Sequence, residues 1–124
     1  FPQAAFYGNR AAALIQSYKF KEALEDCLSA VKLDPNFRKA YIRGTKCYTQ
    51  LGQLDDALKF AQTGLDKFPN DKDIKQGYDR IGIIKNKLNR IEEKLTVVSE
   101  KYSSLFEGIL KPKPTPSPSE DTPT

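Results

Sequence analysis

The chain has 124 residues, 39% hydrophobic and 29% charged, with a net charge of +4. That suffices for one small domain, holds no apolar run of the ~20 residues a membrane span needs, and is too mildly basic for a general nucleic-acid surface. Histidine is absent, and Cys27 and Cys47 lie mid-helix among apolar residues without CxxC spacing, so buried reduced thiols are expected, with no metal site and no cofactor.

The residues repeat with a period of 34. Tyr7 falls on Tyr41, Gln16 on Gln50, Ala23 on Ala57, Leu24 on Leu58, Pro35 on Pro69 and Asn36 on Asn70. Each unit reads as helix, turn, helix. The first unit predicts helices over Gln3 to Ser17 and Lys19 to Leu33, with Gln16-Ser17-Tyr18 at the turn in place of a glycine. The second predicts Phe37 to Leu51 and Leu54 to Phe68; Leu51-Gly52 ends one helix with a residue tolerant of left-handed backbone, and Pro69 stops the other. Ala23 and Ala57, among longer side chains, mark close helix crossings. In the third helix of the chain, Lys39, Arg43 and Lys46 recur at i, i+4 and i+7, opposite Ala40, Tyr41, Tyr48 and Leu51.

A further helix is expected from a cap at Asn70 or Asp71 to about Leu110. Its start, Ile74, Tyr78 and Ile81, closes the second unit, and the pattern then becomes heptad. Leu88, Leu95, Tyr102 and Ile109 hold one core position; Ile84, Ile91, Val98 and Leu105 hold the other, with Lys87 and Glu92 flanking. Two units fall short of the ~3 repeats usually needed for stability, so this helix is expected to supply burial, and truncation after Lys85 to destabilise. Residues 111–124, KPKPTPSPSEDTPT, carry five prolines and no apolar residue, which predicts a disordered tail. Thr115, Ser117 and Thr122 each precede a proline and are candidate phosphate acceptors, though a plain spacer is the stronger reading.

Tyr7, Ala11, Leu14, Ala23, Cys27, Ala30 and Pro35, then Tyr41, Gly44, Tyr48, Ala57, Ala61, Gly64 and Pro69, resemble the signature positions of tetratricopeptide (TPR) repeats over residues 3–70. The departures are Tyr for the family's Trp, Arg10-Ala11 and Gly44-Thr45 for its Leu-Gly, and Cys27 or Ala61 for its large aromatic. The resemblance implies an all-α solenoid: repeats at 3–36 and 37–70, the last two of a three-repeat module, a capping and coiled-coil helix over 71–110, and the tail. It also implies a groove lined by the first helix of each repeat. Asn9, Ala12 and Gln16 would face it from the first unit and Lys39, Arg43, Lys46 and Gln50 from the second.

Asn9 followed 30 and 34 residues on by Lys39 and Arg43 is similar to the carboxylate clamp of TPR co-chaperones of the Hop/Sti1 type, and YGNRAAAL with RKAYIRGTKC resembles TPR-bearing J-proteins. By that resemblance the ligand is the acidic C-terminal tail of Hsp90 or Hsp70. Asn9 would hold its terminal carboxylate, and Lys39 and Arg43 the nearby acidic groups. Such clamps take a further Lys and Asn from a preceding repeat. A chain that opens without Met and enters helical pattern at once is expected to be a piece of a longer, soluble cytoplasmic protein, without a signal peptide. The competing reading of the cations is a solvated helix face, and of the whole chain a structural TPR scaffold that self-associates as a homodimer through Ile84, Leu88, Ile91, Leu95 and Val98. Catalysis finds no support: the carboxylate pairs Glu25-Asp26, Asp55-Asp56 and Glu92-Glu93 diverge by ~100° on a helix and are expected to be solvated.

Overall fold

Residues 2–103 are described by the computed structural model, as five helices: α1 (Pro2–Gln16), α2 (Phe20–Leu33), α3 (Arg38–Gln50), α4 (Leu54–Lys67) and α5 (Lys72–Lys101). The expected Leu105 and Ile109, the end of the long helix at Leu110, and the tail lie outside the described residues. Helices α1 and α2, α2 and α3, and α3 and α4 pack in succession, and α1 also touches α3. One compact unit runs to Asn86 and a second begins at Lys87.

The period of 34 reaches the backbone. At the end of α1 the Lys19 N–H bonds the Leu14 carbonyl at 2.9 Å and the Tyr18 N–H bonds the Ile15 carbonyl at 3.0 Å; after α3, Gln53 to Tyr48 at 2.9 Å and Gly52 to Thr49 at 3.1 Å repeat the arrangement. Both turns are Schellman closures, which put the residue after the helix in left-handed backbone. Gly52 takes φ 78° and Tyr18, at the equivalent place, takes φ 60°. The missing glycine has not changed the turn.

The core lies where the small residues are. Ala11, Ala23, Leu24, Cys27 and Cys47 form one buried cluster, and Tyr41, Ala61 and Ile74 another. Cys27 and Cys47 are free buried thiols. Hydrogen bonding with Cys47, and then burial, push the Cys27 thiol up from its ordinary range. Gly8 has a packing reason: a Cβ there would stand 2.7 Å from the Phe37 ring, so the start of α3 can lie against α1 only because that position is bare. Gly44 does the same for Phe60.

Asp71 starts α5 and ties it to α3. Its Oδ1 accepts the Asp73 and Ile74 N–H groups, both at 3.0 Å, while Arg38 donates to both of its carboxylate oxygens and, at 2.6 Å, to Asp73. Arg38, with help from the backbone N–H groups and against burial, holds the Asp71 carboxyl below the usual carboxylate range. Asp71→Ala removes cap and ion pair; the cap alone is worth about 0.5–2 kcal/mol. Asp71→Asn keeps a good cap and loses only the charge, so it should fall between Ala and the parent in denaturant unfolding. Because the folded pKa is depressed, the stabilisation is present above the unfolded value and is lost as pH falls through the folded one. The advantage of the parent over Asp71→Asn should therefore shrink below about pH 4.

Two expectations need correction. Asp26 is not solvated: it is 5% exposed and accepts from Arg10 Nε and Nη2 at 2.7 and 2.8 Å, across 16 residues of sequence. Nor does the long helix supply burial throughout its described length: its first turns do, and the described residues beyond Lys85 do not. Ile74 and Ile81 are each 1% exposed and both precede Lys85, whereas every residue from Asn86 to Ser103 is exposed.

Candidate functional site

The candidate site is built on the facing helices α1 and α3. On α3, Lys39, Lys46 and Gln50 are exposed and Arg43 is half-buried. The Arg43 Nη1 donates to the Gly8 carbonyl at 2.8 Å, crossing from one first helix to the other. That bond sets the guanidinium beside the backbone neighbour of Asn9, whose own side chain is exposed on α1. A guanidinium has five N–H donors, so this anchor leaves others for a ligand. The structure thus brings Arg43 to the segment that carries Asn9, with Lys39 one turn earlier on α3.

Lys46 and Gln50 serve a different part of the surface. With Ile42, Thr45, Asp73, Ile74 and Arg80 they line a cleft of about 270 Å³ between α3 and the first turns of α5. Gln16, the last residue of α1, is exposed and does not line that cleft.

Charge is sorted by helix. Among residues 2–69, every Asp and Glu lies on α2, on α4 or, in the case of Asp34, in the turn after α2; α1 and α3 carry none. Among the described residues, Lys39, Arg43 and Lys46 form no ion pair, whereas Arg10 is neutralised by Asp26 and Arg38 by Asp71 and Asp73. Arg10 also lies over the Phe6 ring, its Cζ 5.1 Å from the centroid. It is committed to holding α1 on α2 and is a structural cation. The bare pattern of four α3 cations hides this difference; the absence of acids from α1 and α3 is the signal in the sequence that marks the face. Ammonium, guanidinium and carboxamide groups on helices that carry no acid can hold carboxylates by charge-assisted hydrogen bonds.

Comparison with known proteins identifies the repeat. The tetratricopeptide repeat profile matches residues 14–81. The DnaJ homolog subfamily C member 7 homolog of Dictyostelium discoideum is 47% identical over 53 residues, which are 43% of this chain and 10% of that relative. The chain therefore spans only a small part of the length of such curated relatives. Among solved structures, the second TPR domain of the human RPAP3 protein in complex with the HSP70 peptide SGPTIEEVD is 32% identical with a TM-score of 0.62, over 64% of this chain and 67% of that one. The TPR2B domain of yeast Sti1, in its pHsp70 complex, is also 32% identical, with a TM-score of 0.61 over 64% of this chain and 69% of that one. Among the described residues no helix is long and apolar enough to cross a membrane.

Proposed function

The chain belongs to the tetratricopeptide repeat family, and on that premise we propose that it is the peptide-holding part of a cytoplasmic co-chaperone, a non-catalytic module that grips the acidic C-terminal tail of an Hsp70 or Hsp90 chaperone. Asn9 donates to the terminal carboxylate, Lys39 and Arg43 hold the adjacent acidic groups, and Lys46, Gln50 and Gln16 extend the polar surface along the tail. The observation that carries this reading is the sorting of charge: the two helices that would face the ligand carry no carboxylate, and among the described residues the cations at the clamp spacing form no ion pair. The peptides held by the RPAP3 and Sti1 domains supply the class of ligand.

A peptide ending in Glu-Glu-Val-Asp should bind more tightly than its C-terminal amide, since amidation removes the group assigned to Asn9. Lys39→Ala should weaken binding about 10- to 100-fold, the range for hydrogen bonds to charged groups, and Lys32→Ala on α2 should not change it. Arg43→Ala should weaken it as well, but Arg43 also spans α1 and α3, so its melting temperature is to be measured in parallel. Binding should fall with added salt because the surface is open to solvent. Calorimetry on the chain provides the check. Equal affinity for acid and amide peptides would overturn the assignment.

A further inference from the structure

The distal part of α5 carries an apolar stripe that the described structure leaves uncovered. Leu88, Ile91, Leu95 and Val98 are 51%, 54%, 64% and 44% exposed, and they follow one another at spacings of three, four and three. The same seven-residue phase runs back through Ile81 and Ile74, which are buried. An isolated helix gains nothing by keeping that phase, because a period of 3.6 drifts ~20° per heptad from a strict repeat of seven. A strict heptad keeps its stripe facing a second helix that winds around the first.

We propose that α5 beyond Asn86 is a coiled-coil strand that associates with the same segment of at least one further copy of this chain, parallel and in register. The flanking charges argue for both the partner and its direction. With Leu88 and Leu95 at the a position and Ile91 and Val98 at d, Lys87 and Lys94 fall at g and Glu92 at e. In a parallel, in-register pair the g residue of one strand meets the e residue five positions on in the other, so Lys87 meets Glu92 twice by symmetry, and Lys94 meets the uncharged Ser99. An antiparallel pair sets g against g, lysine against lysine. Leucine at a with β-branched residues at d also admits more than two strands, so the mass of the assembly gives their number. Asn89, Arg90, Glu93, Thr96 and Glu100 fall outside the seam, and so does Val97, 60% exposed, the one apolar residue on that outer face between Lys87 and Glu100.

The test is sedimentation equilibrium of the full chain from low to high micromolar concentration. A mass rising above that of one chain is expected. Leu95→Asp should return it to a single chain while acidic-peptide binding and the thermal unfolding of residues 2–86 stay as they were, because Leu95 is exposed and outside that unit. Lys87→Glu should weaken association severalfold, and adding Glu92→Lys should restore it. One-chain mass at the highest concentration, association indifferent to Leu95→Asp, or association left unchanged or strengthened by Lys87→Glu would each overturn the proposal. None of these three overturning outcomes depends on the clamp.

Discussion

Tyr41→Ala is expected to destabilise the compact unit that ends at Asn86 by about 3–5 kcal/mol, the cost of removing a large buried ring that its surroundings cannot refill. Tyr41 is 2% exposed, its ring centroid lies 5.3 Å from that of Phe60 and 6.4 Å from that of Phe68, and Ala61 packs beside it. The opposite helix comes so close that a Cβ on Gly64 would stand 3.0 Å from the Tyr41 Cβ. Little can move in to fill the space, so the residual cavity adds to the lost transfer energy. Small domains have only about 5–15 kcal/mol of net stability, and one change of this size consumes much of it. Tyr41→Phe isolates the hydroxyl, which donates to the Pro35 carbonyl at 2.7 Å. Its loss should cost about 0.5–1.5 kcal/mol, at the lower end because Pro35 is exposed and water can replace the donor. Denaturant unfolding at 25 °C reads both changes, and an alanine variant within 1 kcal/mol of the parent would refute this account of the core.

Helix order and turn positions were legible because a 34-residue period is a strong constraint: it fixes where the chain must reverse even when the local residue argues otherwise. Tyr18 shows this. Its side chain disfavours left-handed backbone, yet the turn it occupies matches the one at Gly52 because the same i to i+5 bond closes both. Small residues at crossings were legible for a related reason, since alanine or glycine among long side chains has few explanations besides close approach.

What periodicity could not show is which charges meet. Asp26 beside Glu25 looks like any solvated acidic pair, and only the fold reveals that Arg10, one helix away, takes it out of solvent. Arg38 likewise belongs to the cap of a helix that starts 34 residues later, so of the four cations on α3 it serves the fold, while Lys39 and Lys46 are candidates for a ligand alone. Arg43 does both. The candidate site was therefore readable as a set of residue types at the right spacing, while its separation from structural charges needed coordinates.

The stripe of α5 raises the same issue in apolar form, and its two halves should respond very unequally to the same substitution. Ile74→Ala is expected to cost about 2–5 kcal/mol, because Ile74 is 1% exposed and packed with Tyr41 and Ala61. Ile91→Ala, two-thirds of the way along the same helix and 54% exposed, should change the unfolding of residues 2–86 by no more than ~0.5 kcal/mol. Truncation after Asn86 makes the same point without altering a side chain. It keeps Ile74, Ile81 and the Lys85–Asp55 ion pair, so the melting temperature should fall by less than the ~4–8 °C that 1 kcal/mol represents in a domain of this size. Truncation after Asn70 removes both isoleucines together with the Asp71 cap and should leave the two repeats largely unfolded at 37 °C. The measurement is a pair of thermal melts at one low concentration, where the chains are dilute enough that any association through the distal stripe does not contribute. If the two truncated chains melted together, well below the parent, the distal turns would be supporting the repeats after all, and burial at Ile74 and Ile81 would not be what closes the second unit.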